Sequence, residues 1–312
     1  MPCLLALVVL SVLGIFSASH RKLAKEAFDC VFRRITLRPC TTGFDTKVKA
    51  AILGKLINRS QKLAKFVSKY FEVLAWGFVI IFTVSTVWTA RGIYNYWAWG
   101  DCNGQTSGGF CAFDPTGSNN KVSATEGDCV DSKLAVKALN LKSLNLADYP
   151  TIQANPAGNT KQIVFIGCYN CDYTRKTWPA IQKLTAKEAA TLVFIHFPVK
   201  PETKYLMAYD ACVYRENPAV YWQLVDRLFG EDKPLNADET RVQAIISALG
   251  MDIEKVKACV NLPETQAEAE QRYKAIQKTG LYGTPTVFIN GTPVVGPKPE
   301  RVYRRLLNKS LI

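Results

Sequence analysis

Between Glu72 and Arg91 the chain runs for 18 residues without a single charge, and no other feature limits its fold as severely. A helix of that length rises roughly 27 Å, close to the hydrocarbon thickness of a bilayer. Trp88, Tyr94, Tyr96, Trp97 and Trp99 cluster at its far end, where an interfacial aromatic belt would sit. A second apolar run occupies residues 3–18, and no charge precedes Arg21. A cleaved signal peptide carries positive charge ahead of its apolar stretch; here the positive charge follows it. Residues 20–71 hold 13 Lys/Arg against Glu26, Asp29 and Asp45. By the positive-inside rule that loop is cytoplasmic, and the N-terminus and everything after about residue 92 lie outside. The expectation is a two-pass protein of the cell membrane. Its spans are residues 1–20 and 72–91, with a basic cytoplasmic loop at 21–71 between them.

The net charge of +13 fits this reading once it is located. Residues 1–100 hold 14 Lys/Arg and 4 Asp/Glu, whereas residues 101–312 hold 25 and 22. A nucleic-acid-binding domain would carry its basic patch on the folded part, so no nucleic-acid partner is expected. Within the loop, Val48, Ile52, Leu56, Leu63, Phe66, Val67 and Tyr70 recur at helical spacing among lysines. This fits an amphipathic helix on anionic membrane lipid, or equally a solvated helix leading into the second span. Of ten cysteines, Cys3, Cys30 and Cys40 lie in the membrane-proximal part and seven from Cys102 onward. That skew suggests an oxidising compartment for the C-terminal part, while Cys30 and Cys40 are expected to be free reduced thiols.

Residues 92–130 read as an extracytoplasmic linker, rich in Gly, Ser, Asn, Asp and Thr from residue 100. Cys102 and Cys111 are candidates for a disulfide within it, leaving Cys129 over, although pairing cannot be read from spacing. Residues 131–312 alternate strand and helix. Strands are expected at 161–167 and 191–199, with a helix over 172–184 that Pro179 would kink. A helical block follows at 203–280, broken at Asn217-Pro218, Gly230, Gly250 and Pro263. Two strands at 285–290 and 292–295, joined through Asn290-Gly291, form a hairpin, and residues 299–310 close the chain as a helix. The fold class is α/β: a thioredoxin fold with a helical insertion, preceded by two transmembrane helices.

Cys168-Tyr169-Asn170-Cys171 falls at a strand-to-helix junction. Unpaired amides at a helix N-terminus stabilise a thiolate there, and a two-residue spacing lets both sulfurs sit in the first turn. The chemistry this suits is thiol–disulfide exchange, with Cys168 as nucleophile and Cys171 as the resolving thiol. A structural zinc at a C-x-x-C needs two more ligands, and the chain has no second C-x-x-C and only His20 and His196. No metal and no cofactor are expected.

At this point the chain resembles a DsbA-like member of the thioredoxin superfamily, anchored to a membrane. The carrying residues are IVFIGCYNC (163–171), WPAIQKL (178–184), FIHFPV (194–199), YDACVYRENPAVYWQLVDRLFG (209–230) and GTPTVFINGTPVVG (283–296). The resemblance implies a cis Thr284–Pro285 bond beside the active disulfide, with Thr284 offering backbone hydrogen bonds to substrate. It also suggests a structural disulfide between Cys212 and Cys259, with two separate buried thiols as the alternative. Closing a 47-residue loop would contribute roughly 4 kcal/mol. Two departures stand out. Gln162 occupies the place of a buried acid that helps deprotonate the resolving thiol. Tyr169 and Asn170 stand where strong oxidases have a Pro-His dipeptide.

The expected function is a membrane-anchored enzyme exchanging disulfides with exported proteins. As an oxidase it would be re-oxidised by a membrane partner of the DsbB or vitamin K epoxide reductase type. Two alternatives remain: a reductase or isomerase using the same residues, and a thiol module that delivers copper.

Overall fold

The computed structural model describes residues 18–36, 44–58, 60–105, 109–124, 139–153, 161–230 and 238–309. The apolar run at 3–18, read as the first span, thus lies almost wholly outside the described residues, as do Cys3, Cys40 and Cys129. The chain divides into two compact units, Met1–Ala90 and Arg91–Ile312.

The first unit holds helices α1 (Ala18–Ile35), α2 (Phe44–Ile57) and most of α3 (Gln61–Trp99). The amphipathic stretch read as one helix is two. The chain breaks after Ile57, and the Ser60 side chain accepts from the Leu63 amide at 3.4 Å, as a residue heading a new helix does. Cys30 is buried and disulfide-bonded, which corrects the expectation of a free thiol. Its partner is not among the described residues. A disulfide suits an oxidising compartment better than a cytoplasmic loop, so at this loop the redox chemistry and the charge asymmetry point to opposite sides.

Helix α3 is 39 residues long and departs from helical geometry at Tyr70, just before its apolar stretch. Trp76–Trp99 is the one described helix long and apolar enough to cross a membrane. The hydroxyls of Thr83, Thr86 and Thr89 donate to carbonyls one turn back, at 2.7, 2.8 and 2.8 Å. Their polar groups are thus satisfied within the helix, as an apolar solvent demands. The helix runs to Trp99, so residues 92–99 are not linker. Its last carbonyls are met by arginines of the C-terminal helix: Arg301 donates to Tyr96 O at 3.1 Å and Arg305 to Ala98 O at 2.5 Å. The same guanidinium groups lie 4.9 Å from the Tyr96 and Trp99 rings. Arg305 also lies 5.7 Å from the Trp97 ring, so three of the five belt aromatics meet cations of the domain, while Trp88, Tyr94 and Trp97 remain exposed.

The second unit is built on a five-stranded mixed sheet in the order β2-β4-β3-β6-β7. The strands are β2 (Thr151–Ile152), β3 (Gln162–Gly167), β4 (Thr191–His196), β6 (Thr286–Ile289) and β7 (Thr292–Val295). Central β3 runs parallel to β4 and antiparallel to β6. The β3–β4 crossover is helix α4 (Asp172–Glu188), which ends where Ala189 turns left-handed. Alternate residues of β3 serve opposite cores: Ile163 and Phe165 join Trp178, Phe194 and Leu224, and Val164 and Ile166 join Ile195, Ile276 and Phe288. Asn290 and Gly291, both at positive φ, form the β6–β7 turn, the backbone that an Asn-Gly hairpin requires.

Between β4 and β5 (Gly283–Thr284) lie, among the described residues, the 3-10 turn Pro201–Thr203 and five helices. These are α5 (Leu206–Glu216), α6 (Pro218–Gly230), α7 (Glu239–Ala248), α8 (Ile253–Val260) and α9 (Pro263–Gln277). Asp238 and Asp252 cap α7 and α8 by accepting from the first-turn amides. The Cys212–Cys259 disulfide ties α5 to α8. Helix α10 (Glu300–Lys309) closes the fold against the sheet.

The segment read as a free linker is partly folded onto the domain. Cys102 and Cys111 are disulfide-bonded, and β1 (Ser123–Ala124) pairs antiparallel with β5. Strands β1, β2 and β5 have two residues each, too short for a period-2 pattern to show.

Candidate redox site

Cys168 follows directly on β3, and the turn it opens is closed by the Cys171 amide donating to Cys168 O at 3.1 Å. Gly167 is required at the strand end, because a Cβ there would lie 2.4 Å from the Thr174 methyl in the first turn of α4. Helix α4 begins at Asp172, with Cys171 as its extended N-cap. The two cysteines therefore do not share the first helical turn as expected. The helix end serves Cys171, and Cys168 sits one tight turn ahead of it.

Both thiols are reduced and fully buried. Cys168 Sγ lies 3.6 Å from the Thr203 hydroxyl, which itself donates to Lys200 O at 2.8 Å. Either partner can donate in this contact, and a Thr203 hydroxyl turned to the sulfur would favour the Cys168 thiolate. Burial pushes the Cys168 thiol above its ordinary value, outweighing the hydrogen bond to Thr203. Burial acts on Cys171 in the same direction but is outweighed by hydrogen bonding from the Ser123 and Thr174 side chains, leaving this thiol below the ordinary value. The more acidic sulfur is Cys171, the reverse of the expectation from sequence.

The cis Thr284–Pro285 bond lies beside this pair. Cys171 Sγ donates to Thr284 O at 3.3 Å, so the backbone ahead of the proline touches the cysteine pair directly. Asn170 Oδ1 is buried at the site without a hydrogen-bond partner among the described residues, while the Thr284 side chain joins Ser123 and Thr174 in lowering Cys171.

The Tyr169 side chain turns inward. Its hydroxyl donates to Asp210 Oδ1 at 2.9 Å, and its ring stacks on His196 at 4.5 Å. Arg175 fixes the turn from outside, donating to Tyr169 O at 2.6 Å and Leu228 O at 2.9 Å. Burial holds His196 neutral by lowering it to about 4, and its Nε2 faces Thr203 O at 3.1 Å. Sequence reasoning missed Thr203, Asp210 and Ser123. Asp210 carries a legible sign, an acid among the buried residues of α5; nothing in the sequence singles out the other two. Among the described residues no three metal-type side chains cluster as a site.

Residues 162–308 match the family model of the DSBA-like thioredoxin domain. No curated protein matches the chain. Among solved structures, the chain is similar to a thioredoxin-like oxidoreductase from Silicibacter pomeroyi DSS-3, at 24% identity and a TM-score of 0.46, covering 52% of this chain and 92% of that one. The catalytic domain of Proteus mirabilis ScsC matches at 21% identity and a TM-score of 0.47, covering 57% and 98%. Oxidised BdbD from Bacillus subtilis matches at 16% identity and a TM-score of 0.42, covering 53% and 92%.

Proposed function

We propose, for a chain whose residues 162–308 form the DSBA-like thioredoxin domain of a thiol–disulfide oxidoreductase, that Cys168 and Cys171 are its redox pair and that it donates disulfides to exported proteins. The observation that carries this reading is the reduced pair between β3 and α4, with Cys171 Sγ 3.3 Å from the carbonyl that precedes cis-Pro285.

The electrostatics support the donor direction. In the oxidised enzyme a substrate thiolate attacks Cys168 Sγ; a substrate–Cys168 bond forms, the Cys168–Cys171 bond breaks, and Cys171 leaves as a thiolate. A leaving thiol of lower pKa departs faster, and Cys171 is the more acidic sulfur. A second substrate thiolate then attacks the mixed disulfide and expels Cys168. The substrate gains a disulfide, and the enzyme keeps two electrons and two protons. A membrane oxidant of the DsbB or vitamin K epoxide reductase type, linked to a quinone, would remove them. Both directions pass through a Cys168 thiolate, as the group expelled in donation and as the attacking group in reduction, so its burial opposes each and the direction rests on the acidity of Cys171.

Helix α3 anchors the enzyme in the membrane, with the domain on the extracytoplasmic side. The length and apolar surface of Trp76–Trp99 support a single span there.

Cys171→Ser is expected to trap substrates as mixed disulfides on Cys168, and Cys168→Ser to abolish exchange. A Cys171→Ser protein that captured no thiol protein would overturn the assignment of the pair.

A further inference from the structure

Residues 119–124 do not hang free ahead of the domain. Asn119 Nδ2 donates to Gly100 O at 2.9 Å, and Asn120 bonds both the Asp101 carboxylate and the Lys298 ammonium group. The chain then runs across two glycines of the domain. A Cβ on Gly296 would stand 2.8 Å from the Asn120 carbonyl carbon, and one on Gly283 would stand 2.7 Å from Val122 Cγ2 and 2.8 Å from Ser123 O. Any side chain at either position would push the segment off. Beyond them, Ser123 pairs with Thr284 and Ala124 with Gly283 in an antiparallel register. Thr284 is the residue whose carbonyl touches Cys171 and which precedes cis-Pro285.

We propose that residues 119–124 are a strap docked on the domain's own substrate edge, and that an extended segment of a substrate protein must displace it before exchange at Cys168. The proposal rests on the reading of Cys168 and Cys171 as the redox pair. It also names the substrate class. A backbone edge that already pairs with Ser123 and Ala124, flanked by side-chain-free glycines, takes an extended polypeptide, with Val122-Ser123 the pattern it accepts. A folded surface does not offer that strand.

The strap is built to leave. Its pairing to the edge is two residues long. With it in place, Asn170 Oδ1 stays buried without a partner among the described residues, and an unmet buried acceptor is destabilising. A guest that donates to it gains a contact that the strap does not make. Both cysteines are fully buried while the strap is docked.

The test compares the full-length chain with Asn119→Ala and Asn120→Ala, which remove the strap's side-chain anchors at Gly100 O and at Asp101 and Lys298 without replacing a residue of the cysteine turn or the cis-Pro loop. The measurement is the rate of disulfide exchange with an unfolded, cysteine-containing peptide. Both variants are expected to react about tenfold faster or more, and an excess of the synthetic peptide Asn-Asn-Lys-Val-Ser-Ala should slow them again by competition. Unchanged rates in both variants, with wild-type exchange still dependent on Cys168, would overturn the strap and leave the redox assignment standing. No exchange in any of the three proteins would instead remove the redox reading, and the strap's role with it.

Discussion

The Tyr169 hydroxyl donates to the carboxyl of Asp210 at 2.9 Å, tying the dipeptide between the redox cysteines to a buried acid on α5. Gln162 leaves the usual acid position empty of charge, so Asp210 is the buried acid that the described structure links to this site. Burial raises Asp210 to about 8, with the Tyr169 hydrogen bond pulling the other way.

A pH dependence of stability follows. A carboxyl raised on folding binds its proton more tightly in the native state. Its contribution is full below its unfolded value near 4 and is lost as pH rises toward 8. Across that window the slope is at most about 1.4 kcal/mol per pH unit. Asp210→Asn should flatten this part of the profile and gain on the wild type at pH 8, as read by denaturant unfolding at pH 5 and pH 8. His196, lowered to about 4, acts within the acidic half of the same window and with the opposite sign, destabilising the fold as pH falls below about 6.5.

The two thiols should titrate in the order opposite to that of a nucleophile poised on a helix end. Thiolate absorbance is the measurement, with Cys171 followed in Cys168→Ser and Cys168 in Cys171→Ser. Cys171 is expected below the ordinary thiol value and Cys168 above it. Ser123→Ala should raise Cys171, because it removes one of the hydrogen bonds that lower it.

The Cys212–Cys259 bridge closes a loop of 47 residues within the helical insertion. Replacing both cysteines with Ala should cost about 4 kcal/mol of unfolding free energy and leave the exchange rate at 25 °C unchanged. A stability within error of the wild type would show that the bridge constrains little.

Topology is tested with alkaline phosphatase fusions. A fusion after residue 100 is expected to be active, since the domain is placed outside. A fusion after residue 58 settles the side of the loop, where the basic charge and the Cys30 disulfide disagree; activity there would favour the disulfide.

The sheet was legible because short apolar, β-branched runs such as Ile163–Ile166 and Leu192–Ile195, bounded by turn residues, read as buried strands, and Asn290-Gly291 dictates its turn. Two-residue strands were not legible, because they carry no period. The largest miss was residues 119–124. Their polar composition reads as a free linker, yet they are held by what the domain lacks, the side chains of Gly283 and Gly296. The acidity of the cysteines was misread for a related reason: whether Cys168 or Cys171 meets the helix end depends on where α4 starts, one residue after the second cysteine.

The central claim is that the Cys168–Cys171 pair donates disulfides, and the reduction potential of that pair in the full-length protein tests it most directly. Equilibration in glutathione buffers, with Cys168→Ser as the control for the other cysteine pairs, gives the value. The account predicts an oxidising potential, nearer to about −120 mV than to about −270 mV. A value near about −270 mV, typical of a thioredoxin reductant, would contradict it.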